Sequence, residues 1–403
     1  MIPLITPFLT HDLLFMKYKK ILFIAGENLS ARSGGQLATV AISNALAKQS
    51  IDFLRIACTT TPKTNIPHDL IGETKWIYGN TNKYLRRHLI SQNLKKTVAH
   101  ELQNNRPDLV VCRIGPATLA AQKICVKYRC PIVILARGLI RPDQSSSFLG
   151  KLLQKYYLDQ YKKAMRCGDR VLCAYDEIAD LAIKERKSTK SIEVVPNCVN
   201  PDEFPLVSET EIISTRGIYN IPGDAFLIGF AGSIQERHCL NTLLDALSLK
   251  KKETLNKICL LIIGEGPQLN QLKTKVNDLK FTDHVFFTGF IDRGNIGKLI
   301  GACDVLYGVQ HPKYKSNPIK NYEYLSAGRL PIVSHSNELS FLKELDAGLF
   351  VSSVDPQAVS DCIYKAIQLT KEERLERALR GREYVVNHHT WDNFAKNILE
   401  TAL

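Results

Sequence analysis

Several common signals are missing from this 403-residue chain. No apolar run approaches the roughly 20 residues that a membrane-spanning helix needs. No basic lead and small-residue cleavage site marks a secretory signal, since "MIPLITPFLTHDLLF" carries an Asp–His pair instead. There is no low-complexity tract and no short solenoid period. The eleven cysteines contain no Cys-x-x-Cys pair, and several lie in apolar runs, such as Cys112 in "LVVCRI" and Cys173 in "RVLCAY". That usage argues against a disulfide framework or a zinc site and for buried free thiols in a reducing cytoplasm. The dinucleotide fingerprint Gly-x-Gly-x-x-Gly is absent too.

What is present has the size of two domains and the composition of a globular protein. Residues 1–15 read as an N-terminal extension ahead of a natural start at "MKYKKILFIAG". Apolar strand-like runs at 20–25, 53–58, 109–113, 131–136 and 170–174 alternate with helical patterns. The alternation resumes at 226–231, 258–263, 284–287, 304–309 and 330–334. Such runs predict α/β domains with parallel sheets covered on both faces. The expected organisation is a first domain over 16–200, a linker over 201–222, a second domain over 223–385, and a C-terminal helix over 386–403 that packs back toward the first. Residues 1–200 hold 30 Lys+Arg against 15 Asp+Glu, a net of +15, while 201–403 carry a net of −2. A basic half beside a near-neutral half suggests an anionic partner for one domain.

The turns after the strands hold the polar residues. Gly34 and Gly35 open a helix after the first strand, where backbone amides can meet phosphate or simply form a tight turn. "FAGSIQERHC" places Gly232, Ser233, Arg237 and His238 after the first strand of the second domain, and "LLIIGEGP" places Gly264 and Gly266 after the next. An arginine in such a loop suits a diphosphate; a solvated loop charge is the plainer reading. In "KSNPIKNYEYLSAGRLPIVS", Asn317 reads as an N-cap, Pro318 as the first helical residue and Gly328 as the stop. The helix then carries Ile319, Lys320 and Glu323. Its free amides could hold a phosphate and its carboxylate could accept two sugar hydroxyls. The plain alternative is an exposed Lys320–Glu323 ion pair.

Taken in order, "VVPNCVNPDEF", "GFAGSIQERHCLNTLLDAL", "LLIIGEGP", "VFFTGFI", "ACDVLY" and "NPIKNYEYLSAGRLPIVS" resemble the C-terminal half of the retaining family-4 (group 1) glycosyltransferases. "RPDLVVCR" and "PIVILARGLIRPD" resemble the N-terminal half more loosely. The resemblance implies the GT-B fold, two Rossmann-like doubly wound domains facing across a cleft. It also implies transfer of a sugar from a nucleoside-diphosphate sugar to a glycan or lipid-linked acceptor with retention of configuration, in cell-surface polysaccharide or glycolipid synthesis. In that family the second glutamate of Glu-x7-Glu binds the donor ribose, and Glu323 matches it. Lys315 stands where the first glutamate usually touches the donor sugar, Ser233 where an arginine is usual, and Cys198 where glycine is usual. Arg237 and Lys320 are then the cations left for the diphosphate, and Arg137 could face the donor from the first domain.

Further implications concern cofactors and partners. The chain has no Asp-x-Asp to hold a divalent metal, so a metal-independent hexosyltransferase without cofactor is expected. The basic first domain would receive the acceptor, with a peripheral position on the cytoplasmic face of an anionic membrane. "FLGKLLQKYYLDQYKKAMR" is a candidate surface, with Leu149, Leu153, Tyr157 and Tyr161 on one side and basic residues elsewhere; "KYLRRHLISQNLKK" is another. An ordinary packed helix with a basic outer face explains either segment equally. No nucleic-acid recognition motif accompanies the charge. A catalytically silent partner of an active transferase and a nucleotide-sugar epimerase are the alternatives.

Overall fold

The computed structural model describes residues 18–29, 34–59, 67, 69–78, 83–115, 117–139, 148–249 and 257–401. The expected extension over 1–15 and most of "LIRPD" lie outside them. By internal packing the chain divides into two units, Met1–Pro196 with Trp391–Leu403, and Asn197–Thr390.

The first unit holds a seven-stranded parallel sheet. In chain order its strands are β1 (Lys20–Asn28), β2 (Asp52–Thr59), β3 (Glu73–Tyr78), β4 (Leu109–Arg113), β5 (Ile132–Ala136), β6 (Arg170–Cys173) and β7 (Ile192–Val194), arranged β3-β2-β1-β4-β5-β6-β7. Helices α1 (Gly34–Lys48), α2 (Lys83–Asn104), α3 (Thr118–Tyr128), α4 (Phe148–Met165) and α5 (Asp176–Arg186) lie between the strands. β4, β5 and β6 are almost entirely buried, as continuous apolar strands covered on both faces must be. Arg55, fully buried on β2, meets the cost of its burial through bonds to Ser43, Asn44, Thr74 and the Ile71 carbonyl.

The second unit repeats the plan with β8 (Phe226–Ala231), β9 (Ile258–Ile263), β10 (Val285–Gly289), β11 (Val305–Gly308), β12 (Leu330–Val333) and β13 (Leu349–Phe350), ordered β10-β9-β8-β11-β12-β13. Its helices are α6 (Glu209–Ile218), α7 (Leu240–Ser248), α8 (Leu269–Asp278), α9 (Arg293–Gly301), α10 (Ile319–Ser326), α11 (Phe341–Glu344), α12 (Pro356–Gln368) and α13 (Lys371–His388). Side chains on β8 alternate between two cores. Ile228 and Phe230 join Leu243, Leu244, Ile262 and Val359, whereas Leu227 and Ala231 join Leu261, Leu306, Tyr322 and Tyr324. The strand order reverses between β8 and β11. In such sheets the crevice beyond the strand C-termini at the reversal is open to a ligand.

The ten strands expected from apolar runs are present. The three not expected, β3, β7 and β13, are all edge strands. An edge strand is covered less, so it needs no continuous apolar run and leaves a weaker sequence signal. Residues 201–222, expected as a linker, are instead part of the second unit. Val199, Phe204 and Ile221 are buried in its core, and α6 starts in a reciprocal Ser208–Glu211 capping box. The unit boundary falls at Pro196/Asn197 because the first sheet ends at β7. At the other end the chain crosses at Thr390/Trp391, later than residue 386. The last helix, α14 (Trp391–Thr401), belongs to the first unit, where the Asp392 carbonyl accepts from Gln49 at 2.9 Å. No helix among the described residues is long and apolar enough to cross a membrane.

Arg216 fastens α6 to the second sheet. Its guanidinium donates to the carbonyls of Ala302, Gly223 and Ala225 and pairs with Asp304 at 2.9 Å. Arg216→Ala would take this donor from the three carbonyls and remove one of the two arginines paired with Asp304, Arg374 being the other. The expected loss is about 3–5 kcal/mol in urea unfolding, where a true linker residue would lose under about 0.5.

Candidate functional site

The turn after β8 and the start of α10 meet at the reversal of the second sheet. Gly232 leaves β8 at φ +139°, and its amide donates to the Ile263 carbonyl. The turn after β9 lies directly against it. A Cβ on Gly264 would fall 2.3 Å from the Gly232 carbonyl oxygen, and one on Gly266 2.3 Å from that of Ile234. Both glycines are therefore required by close backbone packing, which sets the shape of the Gly232–Ile234 turn.

α10 is pinned over this turn by Tyr324, whose hydroxyl accepts from the Ala231 amide at 2.9 Å. The helix begins one residue later than expected. Pro318 is the extended N-cap (φ −70°, ψ 128°), and Asn317 is not a cap at all. Its side chain is buried and donates to the Tyr322 hydroxyl at 3.1 Å, while its carbonyl accepts from Asn197. The shift lies in Pro318 itself, whose ψ is extended rather than helical, so the helical turn starts at Ile319. Gly328 ends the segment at φ +65°. Ile319 and Lys320 supply the first amides of α10, where helical partners are missing.

The exposed Lys320–Glu323 pair does not form. The Lys320 Nζ is buried with no hydrogen-bond partner, 4.0 Å from the Phe230 ring centroid, and a Cβ on Gly232 would lie 3.5 Å from it. Burial and the repulsion of Arg237 hold its pKa well below that of a free lysine, with Glu323 opposing. His238 is also buried. Burial, Lys320 and Arg237 push its pKa down to about 2, so the ring is neutral at physiological pH. Nδ1 donates to the Ser233 carbonyl at 2.7 Å, and Nε2 accepts from Arg237 Nε at 3.3 Å. A neutral imidazole thus orients an exposed arginine. Ser233 Oγ accepts from Gln235 and offers no charge.

Glu323 is buried one turn into α10 and pairs with Arg293 of α9 at 2.9 Å. Sequence reasoning passed over Arg293, Tyr324 and Gln310, and no spacing rule connects them to the site. Gln310 donates to the Tyr314 carbonyl and to Ser316 Oγ, while the Tyr314 hydroxyl donates to Glu236 at 3.2 Å. These bonds hold the 311–317 loop in which Lys315 is exposed. The second unit therefore brings together Gly232, Arg237, His238, Lys320 and Glu323, with Gly264 and Gly266 beneath as packing residues.

The first-unit candidates behave differently. Gly34 and Gly35 open α1, and the Gly35 carbonyl accepts from Thr39. Arg137 donates to the carbonyls of Val195 and Pro196 and lies 5.1 Å from the Phe394 ring, so its guanidinium is occupied in holding the end of the first unit's main segment. On α4, Tyr161 is not a surface residue. It is buried, its hydroxyl bonded to the Gly138 carbonyl, while Lys151, Leu152, Lys155, Tyr156 and Lys163 are exposed. The side chains of Leu149 and Leu153, and most of "KYLRRHL", lie outside the described residues.

Comparison with known proteins places this geometry among relatives. Residues 32–203 match the model of Glycosyltransferase Family 4, and residues 212–383 match that of Glycosyl transferases group 1. The chain is 24% identical over 172 residues to the alpha-monoglucosyldiacylglycerol synthase of Streptococcus pneumoniae, covering 42% of this chain and 38% of that one. It is 29% identical over 132 residues to the 2-deoxystreptamine glucosyltransferase of Streptomyces kanamyceticus, 31% and 32% of the two chains. The matches span roughly a third to a half of the curated relatives' lengths. Among solved structures it is similar to Anabaena HepE in complex with UDP and glucose, with TM-score 0.74, 14% identity, and coverage of 95% of this chain and 99% of that one. It is similar also to WaaG, a glycosyltransferase involved in lipopolysaccharide biosynthesis, with TM-score 0.71, 15% identity, and coverage of 94% and 100%. At such identities the likeness is one of fold, the two-sheet GT-B arrangement.

The buried lysine generates a prediction about the unliganded protein. Its folded-state pKa is lowered, so between that value and about 10.5 the unfolded chain binds a proton that the folded chain does not, and stability rises with pH across the window. Lys320→Met removes this cost. The variant is expected to be more stable than the parent in urea at pH 7, with a flatter dependence of stability on alkaline pH. Equal or lower stability would show that the ammonium has a partner.

Proposed function

The chain belongs to the group 1 and family 4 glycosyltransferases, and we propose that it transfers a sugar from a nucleoside-diphosphate sugar to a glycan or lipid-linked acceptor with retention of configuration. The observation that carries this reading is the charge pattern on α10. The buried Lys320 amine, without a hydrogen-bond partner, faces the Gly232 turn, and one turn later a carboxylate suited to ribose hydroxyls is held in place. In this reading the diphosphate lies at the Gly232 turn near the first amides of α10. Arg237, oriented by His238, and Lys320 balance the negative charge that grows on the leaving group as the anomeric C–O bond breaks. An incoming diphosphate also favours the protonated form of Lys320, so the apo protein's electrostatic cost is relieved when donor binds. Lys315, on the held 311–317 loop, is proposed to lie on the donor-sugar side, either adding to the diphosphate field or pairing with an acidic sugar. UDP-sugars come first among donors to try, since HepE was solved with UDP and glucose.

Glu323→Gln keeps the shape of the side chain and removes its charge-assisted hydrogen bonds. Donor affinity or kcat/KM is expected to fall by about 1.5–3 kcal/mol, roughly ten- to a hundredfold, measured by calorimetry and by transfer assays over a donor panel. Wild-type kinetics in the variant with the correct donor would remove the ribose assignment.

The proposed acceptor side is the basic first unit, at an acidic lipid surface. The exposed face of α4 supports this reading, because Leu152 and Tyr156 are each 56% exposed beside Lys151, Lys155 and Lys163. The full chain is expected to sediment with vesicles rich in phosphatidylglycerol and to release as salt rises. Lys151→Glu with Lys155→Glu should cut this binding severalfold. Salt-independent binding to neutral vesicles would contradict it.

A further inference from the structure

Arg293 makes the strongest contacts around Glu323, and the proposed reaction leaves it without a role. Its guanidinium lies between two carboxylates on different elements. Nη1 is 2.9 Å from Glu323 Oε1 on α10, and Nε donates to Glu203 Oε2 in the 3-10 turn Pro201–Glu203. The cation also lies 5.2 Å from the ring centroid of fully buried Phe204. Glu203 is fixed in turn, since its other oxygen accepts from Asn200 Nδ2 at 3.1 Å. The backbone beneath leaves no play. A Cβ on Gly297, one turn along α9, would lie 2.5 Å from the Glu203 carbonyl oxygen. The result is a chain of contacts, Asn200 to Glu203 to Arg293 to Glu323, that ends at the carboxylate proposed to hold the ribose.

A glutamate has three rotatable bonds and loses conformational freedom when it is held in one pose. Arg293 imposes that loss before any ligand arrives, through the ion pair from Nη1, while its Nε is held by Glu203. We propose that Arg293 is a positioning residue for Glu323: it occupies Oε1 and leaves Oε2 as the carboxylate oxygen offered to the ribose hydroxyls, while Glu203 anchors the arginine from behind. The proposal rests on the ribose assignment above and adds a residue that determines how sharply the site recognises ribose. Burial works against the Arg293 charge, but the two carboxylates outweigh it and raise its pKa, so the cation persists throughout the working pH range.

A purely structural ion pair would affect stability and leave ribose recognition untouched, which separates the two roles. Calorimetric binding of UDP and GDP, each beside its 2′-deoxy and 3′-deoxy forms, reads the discrimination ratio directly. In the wild type the ribonucleotide is expected to bind at least about tenfold more tightly than the deoxy forms. Arg293→Met should weaken the ribonucleotide about tenfold and bring the ratio close to one, and Arg293→Lys should recover only part of it. Glu203→Gln, at a partly exposed side chain, should reduce the ratio about threefold and serves as the test should Arg293→Met fail to fold. An unchanged ratio in the folded variants overturns the positioning role alone. A wild type that binds a diphosphate without discriminating overturns the ribose assignment together with that role. A wild type that binds neither diphosphate overturns the donor-site reading itself.

Discussion

A buried lysine amine without a hydrogen-bond partner, set over the Phe230 ring, is the feature on which the second unit's site depends. Lys320 cannot be there by default, because burying an amine is unfavourable unless it is neutral or paired. Its place is imposed by neighbours. A glycine follows β8, the turn after β9 packs on it through two more glycines, and Tyr324 ties α10 to the Ala231 backbone. Once the helix is held there, position 320 faces the turn. In the proposed reading an anion arriving at that turn reverses the unfavourable term.

The groups around the lysine divide the work. His238 is neutral and accepts from Arg237, so it orients one cation without adding another. A second protonated group beside Lys320 and Arg237 would raise the repulsion in an already positive pocket, which is why burial of the imidazole serves the site. Glu323 is the opposite charge on the same helix, and its pairing with Arg293 keeps it from neutralising Lys320. Two salt-bridge partners that helical spacing would have joined are thereby separated, and the proposed function assigns each to a different part of the donor.

Arg216 and Arg293 show how the segment after the unit boundary is built into the second unit. Each guanidinium joins an early element to a later one, Arg216 from α6 to Asp304 and Arg293 from α9 back to Glu203. The sequence reads 201–222 as a linker between the domains. Its first residues instead form a capped 3-10 turn, in which the Asn200 side chain accepts from the Asp202 amide.

Local pattern alone determined the alternation of strand and helix, ten of the thirteen strands, the free cysteines and the helix bearing Lys320 and Glu323. Each depends on side chains a few residues apart, and periodicity or a proline and a glycine at fixed offsets reports them. Motifs likewise indicated the family, because the turns after β8 and β9 and the start of α10 keep their order along the chain. Tertiary structure decided the rest. Edge strands β3, β7 and β13 take their pairing from a neighbour rather than from their own apolar content. Asn317 lost its expected cap to a hydroxyl five residues on, and Arg137 is bound to carbonyls 58 and 59 residues away. Arg293 lies 30 residues before Glu323 and 90 after Glu203. No window of sequence contains that contact, since it exists only where α9, α10 and the turn at Glu203 are packed together.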